Sequence, residues 1–265
     1  MSLSTVLEPL DIGRITLRNR IVFGPHTTGF ARDHRPSEHH VLYYERRAAG
    51  GVGLIITEEQ VAHASDYPHE RAIFGYDPAV VSGNQMLADA LHPHGAKVFV
   101  QINHSGQQSD SSLSRRPLWA PSPVPDVVSG EMPKAMERRD IEEVVAGFAL
   151  TARHAKLGGM DGVEIRASQS SLIRQFFSGL TNQRSDGYGG SLENRLRFCN
   201  EVVEAVRGEV GAGYVVGIRL CCDELAPWAG ITPEEAEQIA QALEATGCLD
   251  YIAVSMGSIY SRHLP

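Results

Sequence analysis

Short apolar runs alternate with longer amphipathic ones along most of the chain. Six of them, at 20–23, 53–57, 97–101, 162–165, 214–220 and 251–255, are mostly β-branched and apolar. A strand with one wet face alternates between apolar and polar; an unbroken apolar run this short predicts a strand covered on both faces. The stretches between predict helices. Ser37 caps one that runs to the Gly50–Gly51 pair, and Asp140, with Glu143 three residues on, opens another that stops at Gly158. Thr232, Pro233 and Glu235 make a strong helix start, closed by Gly247, and Ser191 opens a helix through Val206. Repeated strand–helix–strand units predict a parallel sheet with right-handed crossovers. One Pro-rich segment, 115–140, breaks the rhythm after the third strand and reads as an extended excursion, with a disordered loop as the alternative.

Six βα units fit an open doubly wound sheet, or most of a (β/α)8 barrel, and periodicity leaves both open. Either fold places ligands at the C-terminal ends of its strands, and there the polar residues gather. The runs after the strands include "GPHTTG", "EEQVAH", "NHSGQQ", "RASQSS" and "CCDELAPWAG". Arg219 lies inside an apolar strand, so it needs a carboxylate such as Glu164 or Asp223, or an anionic ligand edge. His26 and His104 sit just past strand ends and are candidates for a pocket wall. His39, His40, His63, His69, His92, His94 and His154 read as surface groups, and Cys221 and Cys222 as small packed side chains.

Composition narrows the function classes. The formal charge is −8 over 265 residues with no long basic run, which argues against nucleic acid as a partner. No apolar stretch is long enough to span a bilayer, and the N-terminus lacks the basic-then-apolar pattern of a secretory signal. Four cysteines without a C-x-x-C pair predict no metal site and reduced thiols in a cytoplasm. No Walker motif, no G-x-S-x-G and no G-x-G-x-x-G after the first strand is present. An aldolase-type barrel would want a lysine on a strand; only Lys97 begins one, at the wrong end.

The stretch 176–195, "FFSGLTNQRSDGYGGSLENR", mixes Gly, Asn, Asp, Arg and Tyr in a way no plain linker needs. With "LEPLDIGRITLRNRIVFGPH", "RRAAGGVGLIITE", "VQINHSG" and "DGVEI" it resembles the old yellow enzyme family. The resemblance is to the branch holding 2,4-dienoyl-CoA reductase and trimethylamine dehydrogenase, and also to mycofactocin-associated oxidoreductases. It runs in order along essentially the whole chain. It implies an FMN-binding (β/α)8 barrel domain over 1–265, with 176–195 as scaffold over the mouth. It also implies NAD(P)H as electron donor and hydride transfer to or from a small organic substrate, either enone reduction or dehydrogenation of an amine or alcohol. By motif, Pro25, His26 and Thr27 would line the flavin edge, Glu59 would touch it through backbone, Gln101 would bond its pyrimidine ring and Arg219 would face N1–C2=O. Thr27 stands where trimethylamine dehydrogenase has its linking cysteine, so the flavin is expected to be non-covalent.

The departures carry as much information. Where relatives place His, then His or Asn, then a proton-donating Tyr, this chain has Arg166, Gln169 and Ser171. A serine hydroxyl is far too weak an acid to replace a phenol. Arg166 and Gln169 remain candidates for holding a carbonyl or carboxylate, Arg166 with a rim ion pair as its alternative, and Tyr260 is the candidate replacement acid. Relatives run on through two further βα units that bind the FMN phosphate, then through a cysteine cluster for an iron–sulfur centre. The expectation is therefore about six of eight units, strands seven and eight missing, and an iron–sulfur cluster only in a longer chain. A redox partner and a homo-oligomer remain open, as does a non-catalytic flavin-fold subunit.

Overall fold

The computed structural model describes residues 3–226 and 228–258. Among the described residues, six strands run in chain order along one parallel sheet: β1 (Val22–Phe23), β2 (Leu54–Val61), β3 (Lys97–Asn103), β4 (Gly162–Ala167), β5 (Val215–Cys221) and β6 (Tyr251–Ser255), and a two-residue strand, Ile73–Phe74, adds to the end of β2. That order decides between the two architectures. A doubly wound sheet reverses direction at a switch point, whereas a barrel adds each strand beside the last. The molecule is a partial (β/α) barrel. Among the described residues, β1 and β6 each pair on one side only, leaving Val22 and Val254 exposed at the open edges.

Helices α1 (Glu38–Ala49), α2 (Val80–Leu91), α3 (Arg138–Leu157), α4 (Leu172–Phe177), α5 (Leu192–Val210) and α6 (Pro233–Ala245) connect the strands. The strands' period of two divides their side chains. Val98, Val100, Val163, Ile165, Val216 and Ile218 join the core shared with helical Leu87, Phe148, Val203 and Ile239. Leu54, Ile56, Phe99 and Val215 form a second, smaller core with Leu17. Leu17 comes from a hairpin, Leu10–Ile12 with Ile15–Leu17, whose Leu10, Ile12 and Ile15 pack on that floor. Gly217 is a position where no other residue fits. A Cβ there would meet the Tyr251 ring at 2.1 Å, so the glycine is what lets that ring lie beside β5.

Two helix starts match the sequence reading: Thr232 accepts from the Glu235 N–H at 3.4 Å, and Ser191 from the Asn194 N–H at 3.3 Å. Ser37 closes its box with a histidine, its N–H donating to His40 Nδ1 at 3.0 Å. One start moves. Helix α3 begins at Arg138, capped by Glu137, and Asp140 lies inside it, accepting from the Glu137 N–H at 2.8 Å. The Pro-rich excursion is ordered. Trp119–Ala120 pairs with Lys134–Ala135, and Arg184 donates to the carbonyls of Pro121 and Met136 at 2.9 and 2.7 Å. Arg184 thus ties the excursion to the 176–195 segment, as a scaffold should.

Candidate active site

At the C-terminal ends of the strands lies a pocket of about 260 Å3. Its wall holds Pro25, His26 and Thr27 after β1, Glu59 on β2, Gln101 on β3, Arg166 on β4 with Ser168 and Gln169 after it, Arg219 on β5 and Ser255 on β6. Eight of the nine residues expected from sequence are therefore neighbours. The ninth, Tyr260, lies outside the described residues. Ser168 and Ser255 were not anticipated; Ser168 sits between two residues that were, and Ser255 ends the sixth strand.

A buried carboxylate organises the floor of this pocket. Glu164 is 0% exposed. It accepts from Arg219 Nε at 2.8 Å and Nη2 at 3.1 Å, from Gln101 Nε2 at 2.8 Å and from the Tyr251 hydroxyl at 3.1 Å. The alternatives left open for Arg219 resolve to Glu164. The pairing is a two-toothed fork, the geometry in which guanidinium and carboxylate bind most strongly. Yet Arg219 is not enclosed by it. Its side chain keeps 21% exposure, and Nη1 has no hydrogen bond among the described residues. Burial, then the Glu164 charge, raises the Tyr251 pKa well above its ordinary value, so Tyr251 stays a donor.

Strand β2 carries a bulge: Thr57 pairs with Val100 but Glu59 with Gln101, so Glu58 is an extra residue. Adjacent glutamates thereby serve different places. Glu59 lines the pocket, pairing with Arg166 and accepting from Asn103 Nδ2 at 3.1 Å. Glu58 bonds His40 of α1 and receives the N–H and hydroxyl of Thr28 at 2.7 and 2.6 Å. Burial works to raise the Glu58 pKa, but the hydrogen bonds from His40 and Thr28 outweigh it and hold it low. The loop bearing Pro25, His26 and Thr27 is thus anchored one residue away. His26 bonds the Tyr43 hydroxyl at 2.8 Å, and the Arg47 guanidinium lies 3.6 Å over the Tyr43 ring.

Several expectations need correction. His104 does not line the pocket: it is buried against Ser65, 2.9 Å away, and burial pushes its pKa down to about 3. His40 and His154 are buried, not superficial; His154 Nδ1 bonds the Gly75 carbonyl at 2.8 Å. Both are core histidines whose polar atoms find partners inside. Ser171, which stands where relatives place a proton-donating Tyr, is buried and caps α4, its oxygen accepting from the Arg174 N–H at 3.1 Å. The polar loop after the fourth strand ends at Ser171, and helix α4 takes up the chain from Leu172. Cys221 is a packed thiol pushed up to about 12 by burial.

A chain-ordered parallel barrel with a polar mouth built from every strand belongs to the class of enzymes whose chemistry sits on the βα loops. The particular family follows. The chain belongs to the NADH:flavin oxidoreductase / NADH oxidase family, whose model it matches over residues 5–259. It is 38% identical to an N,N-dimethylglycine/sarcosine dehydrogenase of Chromohalobacter salexigens, over 99% of this chain. It is 35% identical to a probable N-methylproline demethylase of Rhizobium meliloti, over 96% of this chain. It spans 38% of the length of each. Among solved structures, a 2-naphthoyl-CoA reductase complex superposes with a TM-score of 0.92 at 26% identity, covering 97% of this chain and 41% of that one. The old yellow enzyme homologue from Zymomonas mobilis gives 0.85 at 28%, covering 96% and 74%. The kinship expected from the motifs holds, and the family uses FMN with NAD(P)H. Among the described residues no helix is long and apolar enough to cross a membrane.

Proposed function

We propose that this chain supplies the ring-binding and substrate-facing part of an FMN-dependent oxidoreductase that dehydrogenates a small amine. The observation that carries it is the convergence of six motif-matched residues, with Arg166 and Gln169 where the motif departs, from five strands on one pocket. The residues fit a flavin ring edge. Arg219 offers the unpartnered Nη1 toward the pocket while Glu164 fixes its plane. Gln101, held by the same carboxylate, keeps its carbonyl oxygen free to accept a ring N–H. They fit the ring better than the phosphate: among the described residues of the wall, Arg219 is fixed by Glu164 and the other arginine, Arg166, faces Glu59, which leaves no cluster of free cations for a phosphate. FMN, when bound, takes or gives hydride. Oxidising an amine would leave an electron pair on the flavin, to be removed by an acceptor such as a redox partner.

Ser171 favours an amine over an enone. Enone reduction needs an acid that protonates carbon as hydride arrives. Ser171 is engaged in capping α4 and is too weak an acid. Dehydrogenating an amine needs no such donor. The free-base nitrogen closes a C=N bond as hydride leaves the adjacent C–H, and water hydrolyses the product. The two relatives named for N-methylated amino acids support this choice. The test is the visible spectrum after FMN addition and desalting, then anaerobic mixing with sarcosine or with an enone plus NADH. Bleaching of the flavin band by sarcosine is the expected result. Turnover of the enone alone would overturn the amine assignment, and an FMN spectrum that excess chain leaves unshifted before desalting would overturn the flavin one.

A further inference from the structure

Arg166 and Glu59 face each other across the pocket wall, with side chains 22% and 11% exposed. An ion pair usually ties elements that would otherwise part. Here β2 and β4 are both already hydrogen-bonded to β3, so the pair holds nothing the ladders do not hold. Beside it, Ser168 is 1% exposed and its hydroxyl has no partner, although it lines the same pocket. A buried hydroxyl left unpaired costs about as much as a lost hydrogen bond unless a ligand completes it. The wall therefore presents a cation, an anion and an unused hydroxyl.

We infer that Arg166, Glu59 and Ser168 form a receptor for a small zwitterion, an amino acid bearing both a carboxylate and a secondary or tertiary ammonium. This rests on the reading of the pocket as an amine-oxidising site, and it specifies which amines. The carboxylate binds the Arg166 guanidinium and the Ser168 hydroxyl; the ammonium binds Glu59, which Asn103 steadies, and gives its proton to the Glu59 carboxylate before hydride leaves the adjacent C–H. In the free protein the two side chains satisfy each other. A ligand of one charge that opens the pair leaves the other ion uncompensated, a penalty that only a zwitterion avoids. The usual alternative for holding an alkylated ammonium is a cage of aromatic faces. Among the described residues of this wall, His26 is the sole aromatic ring, and it is bonded to Tyr43.

Calorimetric titration of the chain with sarcosine, dimethylamine and acetate tests this without relying on flavin. Sarcosine should bind at least tenfold more tightly than either single-charge probe. Arg166→Gln should abolish that preference and favour dimethylamine, Glu59→Gln should favour acetate, and Ser168→Ala should weaken sarcosine several-fold. Arg166→Lys, which keeps the charge and the fold, should retain the preference at lower affinity. Equal binding of all three probes, or an undiminished preference in Arg166→Gln, overturns the inference. Spectral retention of FMN is scored separately. A chain that holds FMN and shows no zwitterion preference refutes the receptor alone, and one that prefers sarcosine but binds no FMN refutes the flavin reading alone.

Discussion

Arg174 with Glu224, and Arg219 with Glu164, are the same two side chains set in two regions. Beneath the mouth, Arg174 and Glu224 are 1% and 0% exposed. Glu224 also receives the Ser178 hydroxyl and the Ile231 N–H, the latter at 2.8 Å, while Arg174 reaches Gln108 at 3.4 Å. That pair fastens α4 to the loop after β5 and to the loop after β3. In the pocket, Glu164 is as deeply buried, but its arginine keeps one edge open. The difference teaches how to tell a structural charge from a working one. Both need a buried carboxylate, and both arginines leave a donor unpaired; Arg174 keeps Nε sealed inside the protein, whereas Arg219 keeps Nη1 on a side chain that lines a pocket.

The largest effect should come from cutting the enclosed pair. Arg174→Met leaves Glu224 buried without a cation and should lower stability by about 3–5 kcal/mol, measured by urea unfolding. FMN affinity per folded molecule should hardly change; if it falls in step, the contrast between the pairs fails. Arg219→Met is the converse. It should weaken FMN by about 1.5–3 kcal/mol, roughly 10- to 100-fold, read by equilibrium dialysis, with a smaller loss of fold stability than Arg174→Met.

Asp66 sharpens the comparison as a buried carboxylate with no arginine. It receives the Ser105 N–H at 2.7 Å, its other oxygen has no partner, and burial raises its pKa to about 7. An unfolded aspartate titrates near ~3.9. Between the two values the folded state binds the extra proton, so this group stabilises below about pH 4 and its contribution is lost as pH rises through 7. Asp66→Asn should leave stability unchanged at low pH and raise it by about 1–3 kcal/mol above neutrality. His104 runs the other way, its contribution being lost as pH falls below about 6.5, but it is common to both proteins. Their difference curve therefore reports Asp66 alone. The smallest effect should be Tyr251→Phe, about 1 kcal/mol, because Glu164 keeps three other hydrogen bonds. A larger loss would mean that Tyr251 carries part of what is assigned here to Arg219.

Much of this was readable from the chain. All six strands announce themselves because parallel strands, covered on both faces, must be apolar throughout. Arg219 stood out because a cation inside such a run requires a partner. What escaped were features that depend on three dimensions. The bulge at Glu58 adds one residue without changing the apolar pattern. The N-terminal hairpin is too short and mixed to register. Helix α4 is hidden by its polar neighbours, and its arginine looks like a surface group until Glu224 arrives from 50 residues away. His40 and His154 were misread for the same reason: a buried histidine differs from an exposed one only in what surrounds it. Ser168 carried no local signal, since a lone serine in a polar loop says nothing until its hydroxyl proves unpartnered.

The bulge on β2 has an evolutionary reading. Neighbouring residues of a regular strand already face opposite ways; the extra residue instead shifts the register, so that Glu59 and not Glu58 pairs with Gln101. Glu58 is left to bond His40 and Thr28 while Glu59 meets the pocket. Selection can therefore act on position 59, in the pocket wall, while position 58 keeps the Thr28 loop in place. A library randomised at Glu59, with Glu58 untouched, is the natural place to look for new specificities on this scaffold.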